Sequence, residues 1–194
     1  MLIEPVPYDP EWPALFERRR DRLRAVFAGT GVEISHIGST AVPGLRAKPI
    51  IDIQIGAPDL ARLDPSRLSE AGFDFAPEID ADDAPPGADD APHLWRKLYA
   101  RQTENGVRAA HLHIREIGRP NHRFALLFRD FLRADAMAAA QYGAFKASAS
   151  TIAAAASDPG GSGAYLDLKD SVVLLIARLA EAWAAETGWR PRGD

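Results

Sequence analysis

The run His36-Ile37-Gly38-Ser39-Thr40-Ala41-Val42-Pro43-Gly44-Leu45-Arg46-Ala47-Lys48-Pro49-Ile50-Ile51-Asp52-Ile53 contains the end of one strand, a long bend and the start of another strand. Val32 to Ile37 is β-branched and alternating, which predicts a strand. Residues 38–49 are rich in glycine and proline and predict an irregular turn. Ile50 to Ile55 is apolar at nearly every position, the pattern of a strand covered on both faces. The exception is Asp52. A carboxylate in such a strand is costly without a partner, so Asp52 calls for a cation: a metal, Lys48 or an arginine.

Gly38-Ser39 closing a strand lets backbone amides approach an anion closely, and the serine hydroxyl adds a donor. A carboxylate on the adjacent strand can hold Mg²⁺ against the same phosphate group. Two readings of these residues stand side by side: a phosphate-and-metal site, or a structural turn above a buried acid. A P-loop is a poorer match, since Gly38 and Gly44 are one residue too far apart for G-x-x-x-x-G-K-[ST] and Leu45 stands where the lysine belongs.

Outward from this run, Asp9-Pro10 followed by Trp12, Leu15, Phe16, Leu23, Val26 and Phe27 predicts a helix over 10–28, stopped by Gly29 and Gly31. Asp64-Pro65 opens a short helix that Gly72 closes. Residues 76–92, rich in Pro, Asp, Ala and Gly, read as a mobile acidic loop without the spacing of an EF-hand. Leu94 to Arg101 and Val107 to Arg115 flank Asn105-Gly106, a hairpin signal. On the second of these strands Ala110, Leu112 and Ile114 point one way, and His111, His113 and Arg115 the other. Closing the hairpin about Asn105-Gly106 pairs Arg96 with Arg115. The remainder predicts helices over Arg123 to Arg133, Ala134 to Ala156 and Leu168 to Glu186, the last two separated by the Gly-rich link Asp158 to Tyr165. We read residues 1–194 as one domain, a sheet core over 1–120 followed by a helical part over 121–194.

The formal charge of −4 argues against an extended nucleic acid as partner, because such binding draws on clustered lysine and arginine. The absence of cysteine excludes disulfides, thiolate metal sites and cysteine catalysis. The N-terminal residues lack the pattern of a signal peptide, and no run of about 18 apolar residues predicts a membrane span. The cytoplasm is the expected location.

The run His36 to Ile53 resembles the signature of the GrpB family, whose fold is that of the nucleotidyltransferases. Further resemblance lies in His111-Leu112-His113-Ile114, in Leu126 to Arg133, and in the pairs Tyr142 with Lys146 and Tyr165 with Lys169. It extends from Tyr8-Asp9-Pro10 to Trp189, and its later part is similar to the domain appended to dephospho-CoA kinase in actinobacteria. The resemblance implies an α/β (α+β) fold, a nucleotidyltransferase-like mixed β-sheet packed with helices and a helical C-terminal part. In active members of that superfamily a Gly-Ser pair precedes two acids two residues apart. Here the pair falls on Gly38 and Ser39 and the first acid on Asp52, while the second position is Gln54. An amide supplies no charge to a second divalent ion, so the usual two-Mg²⁺ route lacks a ligand.

The expected site therefore comprises Asp52 and His113 for chemistry, with Gly38, Ser39, Thr40, Lys48, Lys97 and Arg115 around phosphate. Asp52, His111 and His113 are the candidate metal ligands, for Mg²⁺, Mn²⁺ or Zn²⁺, imidazole favouring the last two. His113 as general base, and both histidines as ordinary sheet-face residues, are the competing readings. Lys48, Lys97 and Arg115 read equally as solvated charge, and Arg123 and Arg129 as structural pairs. The expected ligand is a nucleotide or another phosphorylated small molecule. Two functions follow: a nucleotidyltransferase-like protein that binds such a ligand with a divalent metal, its reaction left open, or a non-catalytic ligand-binding or partner-stabilising module.

Overall fold

A computed structural model of the chain describes residues 4–155 and 161–193. Its sheet has five strands, β1 (Glu33–Ile37), β2 (Ile51–Ala57), β3 (Asp74–Phe75), β4 (Lys97–Glu104) and β5 (Val107–Glu116), in the order β1-β2-β5-β4-β3. β2 and β5 run parallel; every other neighbouring pair is antiparallel. The helices are α1 (Trp12–Val26), α2 (Pro92–Trp95), α3 (Pro120–Ala134), α4 (Ala136–Ala155) and α5 (Gly161–Thr187). This is the expected α/β class with a mixed sheet. Residues 158–160 of the Gly-rich link, and the Tyr165 side chain, lie outside the described residues, and the rest of the expected link already belongs to α5. No described helix is long and apolar enough to cross a membrane.

Alternation along the central strands sorts the sheet into two faces. Ile51, Ile53, Ile55, Ala110, Leu112 and Ile114 are buried against Trp12, Phe16, Leu23 and Val26 of α1 and against Leu68 and Phe73. The opposite face carries Asp52, Gln54, His111, His113 and Arg115. A second apolar cluster joins α3, α4 and α5 through Leu127, Phe131, Tyr142, Ile176 and Ala180. The bend after β1 belongs to both: Val42 and Leu45 pack into the helical cluster, and Ala47 into that of the sheet. It is thereby wedged between the polar face of the sheet and the helices.

Two expectations need correction. The hairpin begins as predicted, with Asn105 and Gly106 both at positive φ and Glu104 opposite Val107. A bulge at Gln102/Thr103 then shifts the register by one residue, so Lys97, not Arg96, lies opposite Arg115. Arg96 is exposed and bridges to Ala81. The segment 76–92 is also tied down rather than loose. Ala76 N–H donates to the Tyr99 carbonyl (2.9 Å), Lys97 N–H to that of Asp80 (2.8 Å) and Asp82 N–H to that of Trp95 (2.9 Å). One of its acids is consumed inside the protein.

Candidate functional site

The strand pairing builds the site. Asp52 on β2 lies opposite Ile37 on β1 and His111 on β5, and His113 lies opposite Gln54 and Tyr99. Cross-strand partners share a face, so one carboxylate and two imidazoles meet beside the bend. His111 Nδ1 is 3.1 Å from Asp52 Oδ1. One ligating atom from each of Asp52, His111 and His113 lies within 4.8 Å of the others. The Tyr99 ring stands against both imidazoles, at 5.8 and 5.1 Å between centroids.

Gly38 makes the close approach of bend and acid possible. Its backbone (φ 69°, ψ −168°) lies in a region essentially reserved for glycine. A Cβ there would sit 2.3 Å from Asp52 Oδ2 and 2.9 Å from Asp52 Cβ. Around this contact the polar groups hold the bend in place. Thr40, buried, donates to the Ile50 carbonyl (3.3 Å) and meets His36 Nε2 at 3.0 Å. From α3, Arg129 donates to the His36 carbonyl (3.1 Å) and Arg133 to that of Ala41 (2.9 Å). Arg129 is thus structural, as is Arg123, which grips the Glu181 carboxylate with both terminal nitrogens.

Between the bend, the sheet and the helices lies a cavity of about 470 Å³. Gly38, Ser39, Thr40, Lys48, Asp52, His111, His113 and Arg115 line it, so of the expected site residues only Lys97 is missing from the wall. The helices add Phe124, Phe128, Tyr142, Lys146, Lys169 and Val173. Of these, Lys146 and Lys169 are the lysines of the two Tyr-x-x-x-Lys pairs. Lys146 both lies over the Tyr142 ring, 4.6 Å from its centroid, and reaches Ser39 Oγ at 2.8 Å. The sequence contained no sign that the aromatic pair Phe124 and Phe128 would face this space except their spacing of four on one helix.

The charges are uneven. Lys48, Lys146 and Lys169 border a cavity whose one lining carboxylate, among the described residues, is Asp52. Burial, and then the charge of Lys169, lowers Lys146 to about 7 although Asp52 opposes the shift. Lys48 is lowered by the same two causes in the same order. His113 is held well below the usual imidazole range by burial, then by Arg115 and Lys97, so it is neutral at pH 7 and has a lone pair to offer.

Arg115 and Lys97 are otherwise engaged. Both bind Asp82, through Arg115 Nε to Oδ2 (2.8 Å), Nη2 to Oδ1 (3.1 Å) and Lys97 Nζ to Oδ1 (2.7 Å). Asn121 adds a donor at 3.1 Å. Burial raises the Asp82 carboxyl, but the hydrogen bonds and charges of Arg115 and Lys97 prevail and hold it well below the usual carboxylate range. Arg115 Nη1 also donates to Gln54 Oε1 (2.7 Å), while Gln54 Nε2 donates to the His122 carbonyl (3.2 Å). Gln54 is buried with both ends of its amide used, so it does not reach the cavity.

Comparison with known proteins bears on the fold and the kinship of the chain. The GrpB protein family model matches residues 2–178. A protein of Mycolicibacterium paratuberculosis named dephospho-CoA kinase is 38% identical over 96% of this chain and 48% of its own length. UPF0157 protein YqkA of Bacillus subtilis is 30% identical over 93% of this chain and 48% of its own length. The chain thus spans about half the length of these curated relatives. The crystal structure of conserved protein GrpB from Enterococcus faecalis superposes with a TM-score of 0.71 at 26% identity, covering 92% of this chain and 98% of that one.

Proposed function

This chain belongs to the GrpB family, and we propose that its cavity binds a nucleotide or another phosphorylated small molecule together with a divalent metal. The observation that carries the reading is the meeting of Asp52, His111 and His113 with Ser39 and three lysines around one cavity. The donor set fits a metal: two imidazoles and a carboxylate suit Mn²⁺ or Zn²⁺ better than Mg²⁺. Such an ion, when bound, would polarise a phosphoryl oxygen. Lys48, Lys146 and Lys169 neutralise the ligand's remaining charge, and Phe124, Phe128 and Tyr142 provide apolar surface for its organic part. His113, neutral, serves as ligand or as base. With Gln54 held by Arg115 and His122, a second acid is missing from its superfamily position, so one metal, not two, is the stoichiometry we expect.

Calorimetric titration with ATP, with and without Mn²⁺, Zn²⁺ or Mg²⁺, tests the reading. Binding should strengthen with Mn²⁺ or Zn²⁺, and Asp52→Ala should remove that gain, a loss of roughly tenfold or more. Gly38→Ala should act at the same place by another cause. Its methyl group displaces Asp52, and the backbone conformation costs about 1–3 kcal/mol. Urea denaturation should show that destabilisation, and the Mn²⁺-linked gain should vanish.

A second reading is favoured by the relatives named dephospho-CoA kinase, in which a comparable unit accompanies as much chain again. There the unit would be a ligand-binding or partner-stabilising module without chemistry of its own. Metal-free ATP binding that is unchanged in Asp52→Ala would select it.

A further inference from the structure

Binding alone gives Ser39 no part beyond holding phosphate, and Lys146 none beyond its charge. Their geometry suggests more. Lys146 is 4% exposed, and its hydrogen-bond partner among the described residues is a hydroxyl, not a carboxylate. At 2.8 Å that contact is within the range of a nucleophile and its general base. Ser39 directly follows the glycine-only backbone of Gly38 at a sharp passage from strand to a single helical turn, and it opens on the cavity. A serine at such a bend, with an amine beside it, is the arrangement of serine–lysine enzymes on unrelated folds.

We propose that Ser39 is a covalent nucleophile and Lys146 its general base, giving the cavity a phosphoryl-transfer activity through the chain itself. Lys146 Nζ takes the Ser39 hydroxyl proton as Oγ forms a bond to phosphorus. The bond from phosphorus to the leaving oxygen breaks, and Lys146 returns the proton to that oxygen. Water then cleaves the phosphoserine by the reverse use of the same base. Lys48 and Lys169 border the space in which the transferred oxygens must sit. The groups that act on Lys146 are Lys169 from α5 and Asp52 from β2, with the Tyr142 ring beneath it on α4. Burial and Lys169 keep the amine partly unprotonated at neutral pH against the pull of Asp52. Neither a metal nor a nucleotide is needed for the serine to react.

The test is therefore a reagent that needs no recognition, a small alkyl fluorophosphonate, in which fluoride leaves instead of an oxygen. The intact protein should be labelled, with the adduct mapped to Ser39 by peptide mass spectrometry and the rate rising as pH passes through the neutral range. Ser39→Ala should be unlabelled. Lys146→Met should react roughly a hundredfold more slowly and lose the pH dependence. Lys146→Arg, which keeps the charge but not the base, should not restore the rate. No adduct at Ser39 between pH 6 and 9, or labelling as fast in Lys146→Met as in the parent, overturns the assignment. Because no ligand is involved, either outcome is separable from the calorimetric result for ATP.

Discussion

Asp82→Ala is expected to destabilise the protein by about 3 kcal/mol, because it leaves two largely buried cations without their counterion. The Lys97 and Arg115 side chains are 9% and 8% exposed, and both meet Asp82 within 3.1 Å. Removing the carboxylate leaves their desolvation in place and withdraws the attraction that offsets it. Urea denaturation at pH 7 measures the loss. Asp83→Ala, at the exposed neighbouring acid, is the control and should change stability by less than about 0.5 kcal/mol. A pH series adds an independent sign. The folded Asp82 carboxyl titrates below its unfolded value, so its contribution is complete above the ordinary carboxylate pKa of about 3.9. It is lost progressively as pH falls below that value. The parent protein should therefore lose stability faster than Asp82→Ala between pH 4 and 2. An equal slope in the two would show that the carboxylate is not the buried partner described here.

The second large effect has the opposite direction. Lys146→Met should stabilise the protein near pH 7 while impairing the site. Lys146 titrates at about 7 in the folded chain against 10.5 in its ordinary state. Between those values the unfolded chain holds a proton that the folded chain releases, so stability rises with pH across this window. Each pH unit between the two values is worth about 1.4 kcal/mol. After discounting the lost hydrogen bond to Ser39, the gain at pH 7 is roughly 3 kcal/mol. It should shrink steadily towards pH 10, where the parent lysine approaches neutrality in both states. Urea midpoints at pH 7 and pH 9 suffice: a gap between variant and parent that does not narrow with pH would refute the buried-amine account.

Much of the local structure could be read without coordinates. The α1 stripe from Trp12 to Val26, the Asn105-Gly106 hairpin and the short helix between Asp64 and Gly72 follow from periodicity, positive-φ residues and capping, all short-range causes. Asp64 does accept from Ser66 N–H, at 3.0 Å, and Gly72 is left-handed. Where the structure departs from expectation, the cause is long-range. A two-residue loop implies the pairing of Arg96 with Arg115; the bulge that shifts it falls at Gln102, whose side chain accepts from Arg19 Nε (2.6 Å) and donates to the Gly72 carbonyl (3.3 Å), contacts that no local pattern encodes. Asp82 stands among several acids in a Pro-rich segment, and nothing nearby in the chain distinguishes it. Its partners Lys97, Arg115 and Asn121 come from β4, β5 and α3.

The same division holds for the site. The amino-acid sequence alone determined that Asp52 is an acid within an apolar strand, that a glycine-serine bend precedes it, and that His111, His113 and Arg115 share a strand face. These follow from the two-residue repeat of a strand and from the types of residue present. Only the tertiary structure decided that β2 and β5 are parallel neighbours, which sets Asp52 opposite His111, and that Lys146 and Lys169 return from the helices to the same cavity. It also decided that Gln54 and Arg115 serve each other before any ligand. The reason is physical: alternation and capping act over a few residues, whereas the pairing of buried charges and the closing of a cavity depend on which distant segments the apolar clusters draw together.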